Sequence, residues 1–237
     1  KKEERFVFPD IENKATPSLL RDYSAPVNLK SDLSIDENIH LLEFDDNLFK
    51  KWDICQNLHL KFLEKKNLQL FSNSIKQILN NSTIDNSVKS LILKPPSYKM
   101  FQNTLTNYDP LDLYISRKNY LNKFYKNFED ELYIYFKNSL DKLCVNYDLK
   151  INSLLKILLE SLCILGNKFA FNIAEEFCSS KIMEIKLIGL IACIKYNHKN
   201  SIKLLKKFYD EFKHDKIVLE KWFQIKSSYN NKFFDGI

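Results

Sequence analysis

The stretch Ala15-Thr-Pro-Ser-Leu-Leu-Arg-Asp-Tyr-Ser-Ala-Pro-Val-Asn-Leu29 lies just before a change of pattern in the sequence. Within it we predict two short strands, 18–21 and 25–29, joined by a turn at Asp22-Tyr23-Ser24. The aromatic and β-branched run at 5–8 predicts an earlier strand. Short strands cannot bury a face by themselves, so these segments need sheet partners that the chain does not supply. We therefore expect the chain to be truncated on its N-terminal side.

Helical periodicity begins at Ser34. Ser34 and Glu37 have the spacing of a capping box and precede the apolar residues of the first predicted helix. The run Asp45-Asp46-Asn47 breaks that helix and caps the next one. From there, apolar residues recur at helical spacing at Leu48, Trp52, Cys55, Leu58, Phe62 and Leu63.

Further capping signals predict helices in the middle of the chain. Ser72 or Ser74 starts a short helix, and Asp85 caps another that Pro95-Pro96 ends. Asp109 followed by Pro110 predicts the start of a long helix of about thirty residues, because Pro is favoured at the first helical position.

The last part of the chain alternates between helices and breaks. The predicted helices are 150–165, 168–179, 183–196, 199–213 and 216–227. Gly166-Asn167 and Asn197-His198 mark two of the breaks. Short helices with tight connections indicate a helical-repeat, α-solenoid-like domain, so the predicted fold class is mainly α. Residues 229–237 match no capped helix end and are interpreted as frayed or out of frame.

Composition and charge favour a helical chain without a nucleic-acid or membrane partner. Only 3 glycines are present, which disfavours a turn-rich all-β fold. Lys and Arg total 36 against 30 Asp and Glu, a net charge of +6, but the charges are interspersed and indicate a solvated exterior. No apolar run of about 18 residues predicts a transmembrane helix. The start, Lys1-Lys2-Glu3-Glu4, has no initiator Met and no signal region, and we expect a cytoplasmic protein.

The five cysteines do not form a recognisable site. They are Cys55, Cys144, Cys163, Cys178 and Cys193. The count is odd and the spacing is wide, which argues against a CxxC metal site or a dense disulfide framework. We interpret them as small apolar residues in a reducing compartment.

No set of catalytic, cofactor-binding or metal-binding residues is predicted in this chain. Zinc peptidase chemistry needs two histidines one helical turn apart, with a glutamate between them that takes a proton from the bound water. The histidines here are His40, His59, His198 and His214, and no pair has that spacing. Capping or surface positions are the preferred interpretation of all four.

Arg21, two tryptophans and an acidic run were weighed as candidate sites. Arg21 either organises an active-site region from behind or, as we prefer, pairs with a carboxylate or loop carbonyls at a domain junction. Trp52 and Trp222 stand among apolar residues at helical spacing, which favours core packing over a ligand platform. Glu43, Asp45 and Asp46 suggest a cation site, but helix capping explains Asp45 to Asn47 better.

Several segments resemble M1-family zinc aminopeptidases of the bacterial aminopeptidase N type. In that family a Pro-Ser-Leu-Leu-Arg-x-(Phe/Tyr)-Ser-Ala-Pro-Val run closes a β-sandwich and leads into a helical C-terminal domain. The matching segments, in the family's order, are 17–27, 44–56, 94–97, 109–110, 208–209 and 217–225. The most specific are Pro17 to Val27 and Val218 to Phe223, which contains Lys221-Trp222-Phe223.

The resemblance implies a fold and a function for the parent enzyme. It implies that 1–30 are the end of the β-sandwich domain and that 31–237 are the helical C-terminal domain, incomplete at its C-terminus. The parent would use zinc to remove N-terminal amino acids from peptides. This chain would bind no zinc, would cover the active site and would shape the substrate chamber. Its partners would be the N-terminal catalytic portion and peptide substrates.

Departures from the family pattern leave two alternatives open. The family's basic run is replaced by Asn152-Ser-Leu-Leu-Lys-Ile-Leu-Leu, and its Asn-Met-Thr-Asp by Lys181-Ile-Met-Glu-Ile. One alternative is a stand-alone helical-repeat module that binds a partner protein without catalysis. The other is a degraded gene product without catalysis.

Overall fold

Twelve α-helices account for most of the residues that the structure describes. The computed structural model describes residues 5–7, 9, 12, 15–25, 27, 29, 31–62, 68–104, 107–145 and 149–229. Within these ranges the side chains of 23, 144, 145, 149–151, 228 and 229 are left aside. The helices are α1 Ile35–Phe44, α2 Leu48–Phe62, α3 Gln69–Asn80, α4 Asn86–Leu93, α5 Tyr98–Thr104, α6 Pro110–Lys126, α7 Glu129–Val145, α8 Leu149–Ile164, α9 Lys168–Phe177, α10 Met183–Lys195, α11 Ser201–Phe212 and α12 Lys216–Tyr229.

The helices pack mainly on their neighbours in the chain. Consecutive pairs such as α1 and α2, α7 and α8, α9 and α10, and α11 and α12 are in contact. Helix α8 is the exception, because it packs against α4, α6, α7, α9 and α10. It is apolar on most sides, as a helix surrounded by others must be. One apolar core runs from Ile39 in α1 to Ile225 in α12.

Local capping fixes several helix starts as the sequence predicts. The Ser34 hydroxyl accepts from the backbone N–H of Glu37, and the Glu37 carboxylate accepts from the backbone N–H of Ser34, at 3.2 and 2.9 Å. Asp85 and Asp109 accept from the first turns of α4 and α6. The Asn167 side chain caps α9 after Gly166, whose φ of 75° is the left-handed conformation that ends α8. No described helix is long and apolar enough to cross a membrane.

The single long helix predicted after Pro110 is wrong, because the chain breaks at Asn127 and Phe128. The Asn127 backbone N–H turns back to the carbonyls of Phe124 and Tyr125, and its side-chain amide donates to Ser72 Oγ at 3.0 Å. Phe128 is buried at the break, and α7 then starts with three acidic residues that suit a helix N-terminus. The break redirects the chain so that α7 packs on α8.

Two other helix predictions need correction. Helix α3 begins at Gln69, ahead of Ser72 and Ser74, which are buried inside it. Ser74 donates to Glu43 Oε1 and to the Leu70 carbonyl, so it bonds within the packed helices and does not cap α3. Helix α5 was not predicted; it buries Phe101 completely. The five predicted helices after 148 are all present, with ends shifted by one to three residues.

The strands predicted near the N-terminus are absent from the residues that the structure describes there. Residues 5–7, 15–20 and the described part of 25–29 have no strand, and Arg21–Tyr23 is a 3₁₀ turn. Phe8, Pro26 and Asn28 lie outside the described residues. The physical reason is the lack of a neighbouring strand to pair with, as the short lengths of these segments require. The segment instead crosses the α1–α2 connection, where its side chains find polar partners. Residues 230–237 also lie outside the described part.

Candidate functional site

The most distinctive polar site lies where residues 18–22, here called the hook, meet the connection between α1 and α2. The Ser18 hydroxyl donates to Asp45, and the Arg21 guanidinium donates to Asp46. The guanidinium also lies 3.8 Å from an Asp45 oxygen. On the other side of the hook, the Asn47 amide donates to Asp22 at 2.5 Å.

Asp45 is the centre of this site, because its side chain is only 2 % exposed. Burial alone raises the pKa of its carboxyl. The hydroxyl of Ser18, the backbone N–H of Asn47 and the charges of Arg21 and Lys51 lower that pKa further, so the net shift is downward. The carboxylate is therefore held ionised inside a set of donors.

Asp45 and Asn47 also connect the two helices. Asp45 follows the last residue of α1 and accepts from the Asn47 backbone N–H at 2.8 Å. Asn47 in turn accepts from the backbone N–H of Lys50, in the first turn of α2. The predicted capping role of this acidic run is thus observed for Asn47. The carboxylates of Asp45 and Asp46 are directed mainly to the hook.

Apolar side chains surround the hook and are open to solvent. Leu19, Val27 and Leu29 are exposed along the N-terminal segment, and Phe44 at the end of α1 is 70 % exposed. A groove of about 490 Å³ separates Val27 and Leu29 from the face of α2 that carries Asp53, Ile54 and Asn57. The N-terminal segment is therefore fastened at the hook but packs poorly beyond it.

The four histidines are far from any shared site. His40 and His214 are exposed, as expected, and His198 lies half-buried between α10 and α11, 3.6 Å from a Glu175 oxygen. His59 contradicts the surface or capping expectation, because it is fully buried. Its Nδ1 lies 2.8 Å from the Tyr120 hydroxyl, between the rings of Phe71 and Phe124.

The residues present do not fit a catalytic zinc. Among the described residues no three His, Cys, Asp or Glu side chains form a cluster that could hold a metal ion. His59, the most enclosed nitrogen donor, is enclosed by aromatic rings and has no carboxylate beside it. No catalytic step is therefore derived from groups of this chain.

The tryptophans and cysteines pack as the sequence predicts. Trp52 and Trp222 are partly buried against the core, and the Trp222 indole donates to the Leu205 carbonyl at 3.0 Å. Cysteines 55, 163, 178 and 193 are buried and unbridged. The Cys144 side chain lies outside the described part.

Three residues of the site were not singled out from the sequence. Ser18 and Asp22 carry no local signal, because their partners lie 27 and 25 residues away. Lys51 donates to the carbonyls of Leu42 and Glu43 at 2.6 and 2.8 Å. His59 did have a signal, since it falls on the apolar face of α2, four residues after Cys55 and three before Phe62.

Comparisons with known proteins agree on the architecture. Residues 35–233 match a family described as a domain of unknown function (DUF3458_C) with ARM repeats, which confirms the predicted helical-repeat fold. A solved structure of Legionella pneumophila aminopeptidase A in complex with aspartic acid superposes with a TM-score of 0.77 at 21% identity. It covers 92% of this chain, and this chain covers 28% of it.

A curated relative supports the same resemblance. Aminopeptidase N of Haemophilus influenzae is 25% identical over 240 residues, which is 96% of this chain and 28% of that protein. The predicted resemblance to aminopeptidases of this type is thereby confirmed. The chain spans just over a quarter of the length of the relatives it matches.

Proposed function

Since this chain belongs to the DUF3458_C family of ARM-repeat domains, we propose that it is the C-terminal helical part of a zinc-dependent aminopeptidase. The observation that carries this proposal is the match of 96% of the chain to just 28% of aminopeptidase N from Haemophilus influenzae. In that arrangement residues 1–30 end the β-sandwich and 31–237 form the helical domain. The zinc ligands and the general base are supplied by the N-terminal catalytic portion.

The chain's own contribution is to build a wall. The continuous core from α1 to α12 gives a rigid stack, and such stacks offer extended surfaces to whatever they cover. Placed over a catalytic domain, the stack limits access to short peptides and excludes bulk water. The whole enzyme then removes N-terminal amino acids from peptides in the cytoplasm, where the unbridged thiols Cys55, Cys163, Cys178 and Cys193 suit the reducing conditions.

A reconstitution assay tests this function. The partner is the polypeptide from the same genome that carries His-Glu-x-x-His in an in-frame or adjacent reading frame. We expect the chain alone to release no amino acid from alanyl-p-nitroanilide and the two parts together to release alanine. A catalytic part with Gln in place of the motif's Glu is the matched control and should be inactive in the mixture.

Two results would contradict the proposal. The first is zinc-dependent hydrolysis by the chain alone, which would place the catalytic residues inside it. The second is a genome without any such reading frame, which would favour a stand-alone helical-repeat module.

A further inference from the structure

The hook has an unusual backbone for residues of its type. Leu20 and Asp22 have φ values of 53° and 55°, in the left-handed region that side chains with a Cβ seldom adopt. Two such residues within three positions are costly. They persist only where surrounding contacts determine the conformation.

Those contacts are the ties to the α1–α2 connection. Ser18 holds the start of the hook to Asp45, Arg21 holds its middle to Asp46, and Asp22 holds its end to Asn47. The ties fix the backbone direction on both sides of the hook. Arg21 and Asp46 remain 46 % and 83 % exposed, so the same side chains are also accessible from outside.

The surface around the ties is not completed by the described residues. Leu19, Val27, Leu29 and Phe44 are exposed beside the hook, and the groove of about 490 Å³ lies under the segment that follows it. The described residues of 15–19 and 31–33 also make no backbone pair with a neighbouring strand. An extended segment with open backbone groups and apolar side chains is suited to a sheet edge.

We propose that the hook, Phe44 and the exposed residues Leu19, Val27 and Leu29 form the docking surface for the β-rich N-terminal portion of the same enzyme. This proposal rests on the proposed function. The occupant is favoured by the share of the relative that this chain does not cover, 100 − 28 = 72% of aminopeptidase N. That share must join the helical stack through the segment that contains the hook.

The ties then set the angle at which the two parts meet. Because the hook is fastened to α1 and α2 by side chains, its direction does not depend on the partner. The partner supplies the missing strand pairing and covers Phe44. Arg21 acts as a positioning residue, since it aligns the junction and contacts no substrate.

The test compares two exposed phenylalanines. Binding of the purified catalytic polypeptide to this chain is measured by isothermal titration calorimetry for the natural sequence, Phe44→Ser, Arg21→Ala and Phe223→Ser. Phe223 on α12 is 57 % exposed and is the matched control. We expect Phe44→Ser and Arg21→Ala to weaken binding about 10-fold or more, and Phe223→Ser to change it by less than about 2-fold. Circular dichroism verifies that each variant is folded.

The outcomes separate the two proposals. No binding and no activity with the natural sequence contradict the proposed function itself. Binding that Phe223→Ser weakens and Phe44→Ser does not would overturn the docking surface and leave the function intact. A chain that is dimeric alone and becomes monomeric with Phe44→Ser would show that a second copy is the occupant, which also overturns it.

Discussion

His59 shows how a single buried residue couples stability to pH. Burial, together with the nearby charge of Arg117, lowers its pKa to about 3. Among the described residues no group hydrogen-bonds its Nε2. The folded chain therefore holds a neutral imidazole, whereas the unfolded chain takes up a proton near the ordinary pKa of about 6.5.

The sign of the pH effect follows from that depressed pKa. The stability that the neutral form contributes is fully present above about pH 6.5 and is lost as the pH falls toward 3. Between pH 7 and pH 4 the loss is about 3 kcal/mol, at about 1.4 kcal/mol per pKa unit. We expect His59→Phe to flatten the curve by that amount in urea unfolding at the two pH values.

A control separates titration from packing in that experiment. His59→Phe also removes the partner of the Tyr120 hydroxyl, so it lowers stability at pH 7 as well. The exposed His214→Gln should leave both the stability and its pH slope unchanged. An unchanged slope in His59→Phe would show that His59 is not the group responsible.

Gly189 is the second residue whose substitution has a definite expected cost. A Cβ there would lie 2.4 Å from the Ala174 carbonyl oxygen and 2.6 Å from the Phe177 Cβ, where α10 crosses α9. Both helices must separate to admit it, so we expect Gly189→Ala to cost about 1–3 kcal/mol or more. Thermal unfolding followed by circular dichroism measures the difference.

Gly166→Ala is its matched control. Nothing lies within 4 Å of the added Cβ, and just the φ of 75° opposes it. The expected cost is about 1–2 kcal/mol, from the left-handed conformation alone. If a second substitution that separates α9 from α10 made no difference to Gly189→Ala, the crowding argument would be wrong.

At the scale of elements, two buried lysines hold the ends of preceding helices. Lys51 of α2 donates to the last carbonyls of α1, and Lys89 of α4 donates to the Leu79 carbonyl near the end of α3 at 2.7 Å. Burial lowers the pKa of both ammonium groups. Positive charge at a helix C-terminus is favourable for the helix dipole.

We expect Lys51→Met and Lys89→Met each to lose about 1–2 kcal/mol, because buried carbonyls lose a charged donor while the side-chain volume is kept. The exposed Lys203→Met on α11 is the control and should stay within about 0.5 kcal/mol. Chemical denaturation at constant pH checks this. Equal effects for all three would mean that the lysine contacts contribute nothing specific.

The same scale shows what the sequence could predict about elements. Ser34 with Glu37 and Asp109 with Pro110 were predictable because each signal acts within one helical turn. The break at Asn127 was not, because its amide bonds Ser72, 55 residues away. The helix propensity on both sides of Asn127 is intact, and packing alone decides that the chain turns there.

At the scale of the molecule, α8 connects the two halves of the helical stack. Leu158 is fully buried in α8, which contacts helices from α4 to α10. We expect Leu158→Ala to cost about 2–5 kcal/mol and to reduce hydrogen-exchange protection in α4 and α9 together. The change should be global because both halves share this helix.

Leu205→Ala in α11 is the contrasting variant. Leu205 is buried, but α11 packs chiefly on α10 and α12. Its substitution should reduce protection in α11 and α12 and leave α1 to α4 unchanged, as nearest-neighbour coupling requires. Uniform loss of protection across the chain would show that the stack unfolds as one cooperative unit.

The fold class was predictable at this scale, and the candidate site was predictable only in part. Helical spacing from Leu48 onward and the breaks at Gly166 and Asn197 sufficed for a repeat architecture. Arg21 was identified as a carboxylate partner because guanidinium groups favour that pairing. Its partners Asp45 and Asp46 could not be assigned, since they are brought to it by the path of the chain over the α1–α2 connection.

The buried thiols have a practical consequence for measuring where this molecule opens. Alkylating reagents attack the thiolate, and burial raises the pKa of Cys55 and raises that of Cys163 to about 12. Modification thus requires local opening. Mass-spectrometric counting of alkylated sites over time ranks the openings of α2, α8 and α10 in the unaltered chain, with Cys163 expected to react last because five helices surround α8. The natural cysteines serve as internal reporters without any engineered label.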